Sequence, residues 1–217
     1  MSIAPSDLPK DEAKSVAPIP VPTHGAGGNF AVACSTTIAG PALSCLEKVL
    51  DLSSYGTWNT FVPSASLTTP GTTDELPVTS ELRDIASRPG YVAPGAKVRF
   101  NAVMMTPGGG GGGGASSSSS TRAVDLEVTF LETFITGDGK MGYRVAWKAL
   151  GIPHFLLHSE RVQEFIEDVA KDGKPVTRYA CWETFGGVLG YVLPKAQIES
   201  GFQRWMDGLK KVVEEGR

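Results

Sequence analysis

Residues 174–216, KPVTRYACWETFGGVLGYVLPKAQIESGFQRWMDGLKKVVEEG, decide the fold. The first half is β-branched and aromatic and reads as a strand. The second half, from Leu193, spaces Ile198, Phe202, Trp205, Leu209 and Val212 four and three apart, which lays one apolar stripe along a long helix. Lys195, Glu199, Gln203, Lys210 and Glu214 take the other side. A stripe this bulky needs a wide apolar partner, and the β-rich middle of the chain is the candidate. The expectation is a sheet gripping one terminal helix.

The chain has 217 residues, and about 150 ordered residues bury about 70% of their unfolded surface without disulfide or metal staples. A net charge of −3 with scattered Lys and Arg offers no basic stripe, so nucleic acid is not an expected partner. Cys34, Cys45 and Cys181 lack CxxC spacing and read as buried thiols of a reducing compartment. The N-terminus has neither an apolar h-region nor an Arg-rich, acid-poor character, and no apolar run is long enough to span a bilayer. A cytoplasmic, soluble protein is expected.

Residues 1–27, rich in Pro, Ala and Gly, read as a disordered arm, and the domain is expected over 28–217. NFAVACSTTI is the first strand, AGPALSCLEKVLDLSSYGTW a helical pair, and NTFVPSASLTT the second strand. Residues 70–95 form a long Pro-rich loop with a helical turn at SELRDIA. AKVRFNAVMM then sets Val98, Phe100, Ala102 and Met104 on one face of a strand. The tract GGGGGGGASSSSS lacks the lysine of a phosphate-binding loop and is read as a flexible insertion over 107–121.

Two hairpins follow. Taking Asp138-Gly139 as a two-residue turn pairs Phe134 with Tyr143, Glu132 with Val145, and Phe130 with Trp147, and puts Glu132 on the inward face with Phe130, Tyr143 and Trp147. Taking Asp172-Gly173 the same way pairs Glu167 with Arg178 and Gln163 with Trp182 on an outer face. Ile166, Glu164 and Val162 then pair with Tyr179, Cys181 and Glu183, the face expected to look inward.

This order of elements, with the segment STTIAGPALSCLEKVLDLSSYGTWNTFVP, the motif ETFGG and the helix GFQRWMDGLKKVVEE, resembles the START-like, or SRPBCC, superfamily. That superfamily includes Bet v 1-like, polyketide cyclase/dehydrase and lipid-transport branches. The resemblance implies an α+β helix-grip fold: a curved antiparallel sheet of about seven strands around the C-terminal helix, with two short helices after strand 1. Its motifs are architectural and do not identify a ligand.

A sheet closing over one helix leaves a tapered apolar space, the default ligand site. The expected contacts are Phe100, Met104, Phe130, Glu132, Tyr143, Trp147, Tyr179, Glu183 and Phe202. A small hydrophobic molecule such as a lipid, polyketide or aromatic metabolite is the expected partner of a monomer, with no cofactor. The alternative is a cyclase/dehydratase-type enzyme in which Glu132 and Tyr143 supply the acid–base chemistry, since a desolvated carboxyl is poised near neutral pH. A third reading is a pure interaction module. Glu132 and Glu183 also fit purely structural hydrogen-bond roles. His154 and His158, placed on a strand, stand about 13 Å apart and are not expected to share a metal.

Overall fold

The β-branched and aromatic runs form strands, and tight turns bring each long strand back antiparallel to the last. In the computed structural model, which describes residues 7–105 and 119–216, the strands are β1 (Lys14–Val16), β2 (Phe30–Ile38), β3 (Ser64–Thr69), β4 (Lys97–Met105), β5 (Ser119–Ile135), β6 (Met141–Ala149), β7 (His158–Val169) and β8 (Pro175–Gly186). They make one sheet in the order β1-β2-β8-β7-β6-β5-β4-β3. The helices are α1 (Ala42–Leu50), α2 (Tyr55–Trp58), α3 (Glu81–Ala86) and α4 (Lys195–Glu215). This is the expected α+β helix-grip architecture, with an extra edge strand, β1, supplied by the N-terminal segment.

The stripe on α4 buries Ile198, Phe202, Trp205 and Leu209 as expected, with Val213 deeper than Val212 at its end. Trp205 packs edge-on against Tyr55 (5.5 Å) and Trp58 (5.4 Å), so the helical pair after β2 clamps the terminal helix. Each such aromatic side chain contributes roughly 2–3 kcal/mol by burial. The clamp needs a bare helix surface at Gly208, where an added Cβ would lie 2.4 Å from the Trp58 carbonyl oxygen. In the Pro-rich stretch, α3 forms where SELRDIA was expected to turn. Ser80 caps it by accepting from the Leu82 N–H, and Leu82 and Ile85 reach the core. The Gly/Ser tract lies outside the described residues up to 118, and residues 119–121 belong to β5.

Both hairpins depart by one residue from the register expected of two-residue turns. Gly139 donates to Thr136 O while Thr136 donates to Lys140 O, and Gly173 and Ala170 repeat the pattern with Ala170 O and Lys174 O. Each loop is a three-residue connection in which the glycine, at φ 78° and 82°, follows a tight turn in the left-handed region. Glu132 therefore faces Arg144 and Phe134 faces Gly142, instead of Val145 and Tyr143. A β-bulge between Val128 and Phe130 keeps Val128 and Leu131 inside while turning Phe130 outward. On the second hairpin the partners of Tyr179, Cys181 and Glu183 are Phe165, Gln163 and Arg161.

The N-terminal segment is also corrected: residues 7–27 do not form a free arm. Their apolar side chains cover the outer face of the sheet, where Leu8 and Val21 pack with Ala33, Ala146, Val162, Ala180 and Trp182. Trp182 donates its indole N–H to Pro20 O, and Thr184 Oγ1 donates to Ile19 O. At the sheet edge, the backbone N–H groups of Ala13 and Ser15 donate to Gln203 and Glu199 of α4. Composition argued for disorder because this segment has no core of its own. It borrows one from Trp182 and its neighbours, and its prolines reduce the entropy lost on ordering.

Candidate ligand cavity between the sheet and the terminal helix

The alternation of β4, β6, β7 and β8 sends one set of side chains toward α4, and the concave sheet stands off the helix far enough to leave a cavity of about 410 Å³. Phe100, Ala102 and Met104 line it from β4, Trp147 from β6, and Ile198, Phe202 and Trp205 from α4. Leu150, Gly151, Ile152 and Leu157 of the β6–β7 loop, with Leu193 and Pro194 ahead of α4, form its rim. These two loops are tied together by Val188 N–H to Phe155 O and Leu189 N–H to Leu156 O. Gly187, at φ 89° and with no room for a Cβ against Leu156 O, permits that approach.

The polar lining consists of Arg122 and Asp125 on β5, Ser159, Arg161 and Gln163 on β7, and Glu183 on β8. Arg161 Nε donates to Glu183 Oε2 at 3.2 Å, and Ser159 Oγ donates to Glu183 Oε1 at 2.7 Å. The Arg161 guanidinium lies 3.9 Å over the Phe202 ring, a desolvated cation–π contact. Burial works against its charge, but Glu183, together with Cys181, Tyr179 and Cys34 behind it, holds its pKa above the ordinary value. It stays a cation. Its two terminal nitrogens have no hydrogen-bond acceptor among the described residues, although the side chain is only 10% exposed. Gln163, fully buried beside it, accepts from Trp147 Nε1 and donates to Tyr179 OH.

Of the residues expected to meet a ligand, Phe100, Met104, Trp147, Glu183 and Phe202 come together on this cavity. Tyr143 and Tyr179 point into the core but are not among its walls. Tyr143 shares its hydroxyl between Glu81 and Glu167, and burial with those two carboxylates pushes the phenol pKa up, which disfavours the phenolate. Phe130 is exposed on the outer face. Glu132 is on that face too, ion-paired to Arg144, because the register differs by one residue. Ser159, Arg161 and Gln163 are the polar cavity residues that the two-residue turn had placed on the wrong side or left unassigned. Alternation within SERVQEF, read against an inward Tyr179, would have found them. His154 lies in a turn and not on a strand, so its ring stacks on His158 at 3.7 Å instead of standing far from it.

The chain matches no family model. It is 32% identical over 180 residues to the oxopyrrolidines biosynthesis cluster protein O of Penicillium oxalicum, covering 80% of this chain and 78% of that protein. The chain belongs to the family of that cluster protein. Among solved structures, a hypothetical protein of Helicobacter pylori superposes with a TM-score of 0.54 at 15% identity, over 91% of this chain and 97% of the other, which speaks for the shared fold. A START superfamily protein from Mycobacterium smegmatis gives a TM-score of 0.47 at 10% identity, over 86% and 99%. No helix among the described residues is long and apolar enough to cross a membrane.

Proposed function

We propose that this protein binds a small, largely hydrophobic metabolite between sheet and α4, and that Arg161 receives a carbonyl or enolate oxygen of that molecule. The observation that carries the reading is a buried guanidinium held by one carboxylate and packed against the rings of Phe202, Trp205 and Phe61, with its two terminal NH2 groups left for a ligand. The volume of about 410 Å³ suits a molecule of drug-like size. Exposed Ile152 on the rim, with exposed Phe155, Val188 and Tyr191 elsewhere in the same two connecting segments, favours an apolar visitor. The relative's name speaks of oxopyrrolidines, ring amides whose carbonyl oxygens are suitable acceptors for such a fork.

An acid–base role for Glu132 with Tyr143 has lost its geometric support, and in an enzymatic version the cavity carboxylate is Glu183. The test is native mass spectrometry and thermal shift with a panel of N-acyl and C-acyl pyrrolidinones and open-chain β-ketoamides. Binding by the wild type that falls at least tenfold in Arg161→Met supports the reading. Absence of binding by every acceptor-bearing probe, or equal binding by the variant, overturns it.

A further inference from the structure

The chain has three histidines, and all of them meet at one place. The rings of His154 and His158 stack 3.7 Å apart, within 5° of parallel. His24, delivered by the N-terminal segment, packs against them at 5.0 and 4.7 Å. Parallel rings aim their in-plane lone pairs side by side and not at one point, and among the described residues no three ligating groups are placed to hold a metal ion. What such a cluster responds to is the proton.

The charged groups facing it are Glu160 on β7 and Lys148 on β6, the latter paired with Glu127. Glu160 is already engaged, accepting from Thr23 N–H (2.6 Å), Thr23 Oγ1 (2.8 Å) and Thr129 Oγ1 (2.7 Å). Its pull favours charge on His24, but its acceptor oxygens are already occupied. His24 Nε2 is buried with no hydrogen-bond partner, so a protonated ring there would aim an N–H at nothing. Burial, then His158, outweigh Glu160 and hold the His24 pKa below its ordinary value, with His154 and Lys148 adding to the effect.

The cluster joins two segments of different function. His24 ends the strap that covers the outer face, and His154 belongs to the loop whose Leu150, Gly151, Ile152 and Leu157 line the cavity rim. We propose that the three histidines form an acid-responsive latch between the N-terminal strap and the cavity rim, closed at neutral pH and opened when mild acid charges the buried His24 ring. The sign follows from linkage: a packed state that lowers a histidine pKa binds fewer protons than the opened one. Its stability is therefore complete above the free-histidine value of about 6.5 and declines as pH falls through it.

Hydrogen–deuterium exchange of the full chain at pH 7.5 and 5.5, corrected for intrinsic rates, tests this. Peptides covering 14–24 and 150–158 are expected to exchange at least fivefold faster at the lower pH, with peptides of α4 unchanged. In His24→Gln the same peptides should show no such pH dependence. Imidazole NMR titration of the wild type gives an independent readout, with the His24 ring titrating below 6.5. Unchanged exchange in the wild type, a Gln variant that keeps the wild-type pH response, or a His24 ring titrating at or above the free-histidine value would each overturn the latch.

Discussion

Two arginines in this sheet each face a glutamate directly across a strand pair: Arg144 faces Glu132, and Arg161 faces Glu183. The first pair lies on the outer face and is closed. Arg144 donates Nε and Nη2 to Glu164 Oε1 at 2.9 and 2.7 Å and Nη1 to Glu132, and its guanidinium lies 4.6 Å over Phe134. Every donor side of that fork is used, riveting β5, β6 and β7 together. The second pair lies on the inner face and is open, with only Nε committed to Glu183. The same residue pairing thus serves two ends. A saturated guanidinium fixes strand order, while an unsaturated one beside a cavity is the donor that the proposed ligand would use.

The comparison breaks most visibly on the closed side. Arg144→Ala removes the guanidinium from Glu164, whose side chain is fully buried, and the expected loss is about 3–5 kcal/mol. Urea denaturation should show it, while ligand affinity of the folded fraction stays at the wild-type value. On the open side Arg161→Met should cost less stability, about 2 kcal/mol, because Ser159 still donates to Glu183. Here affinity should fall at least tenfold, as measured by calorimetry with whichever pyrrolidinone or ketoamide binds the wild type. Arg161→Lys sharpens the contrast: it keeps the charge and most of the stability, yet a point charge lacks the two-pronged geometry and should leave affinity low. Equal affinity in Arg161→Lys and wild type would mean that charge alone, not the fork, holds the ligand.

How much of this was legible in the sequence depends on scale. The strands, the helical pair and the stripe of α4 follow from periodicities of two and of about 3.6, which survive small errors of position. Phe100, Met104 and Trp147 line the cavity for the same reason. Register does not survive such errors, because one residue of slip sends every side chain to the opposite face. Asp-Gly occurs in two-residue turns and also as the end of a three-residue loop, and TGDGK and AKDGK use the second form. Arg161 and Gln163 were missed through that ambiguity, and Glu132 was misplaced by it. The bulge at Thr129 and the strap over Trp182 have no local signature at all, since each depends on what the rest of the sheet offers. The turns themselves are open to test. Gly139→Ala and Gly173→Ala, each forced to a positive φ, should cost about 1–2 kcal/mol apiece with no effect on affinity.

The smallest expected effect carries the sharpest distinction. A two-residue turn at Asp138-Gly139 would bury Glu132 inside, where Glu132→Gln should weaken binding or abolish any turnover. The observed register puts Glu132 outside, its side chain 35% exposed and paired to an arginine that Glu164 also holds. Neutralising it there removes one charge from a solvent-screened pair while a hydrogen-bond acceptor remains for Arg144. The expected cost is below about 1 kcal/mol, with ligand affinity unchanged. Glu183→Gln, by contrast, neutralises the carboxylate that positions Arg161 and should lower affinity several-fold. Measured side by side on the same ligand, the two variants report which face each carboxylate occupies. Loss of binding in Glu132→Gln with none in Glu183→Gln would reverse the assignment of the two pairs, and with it the register of both hairpins.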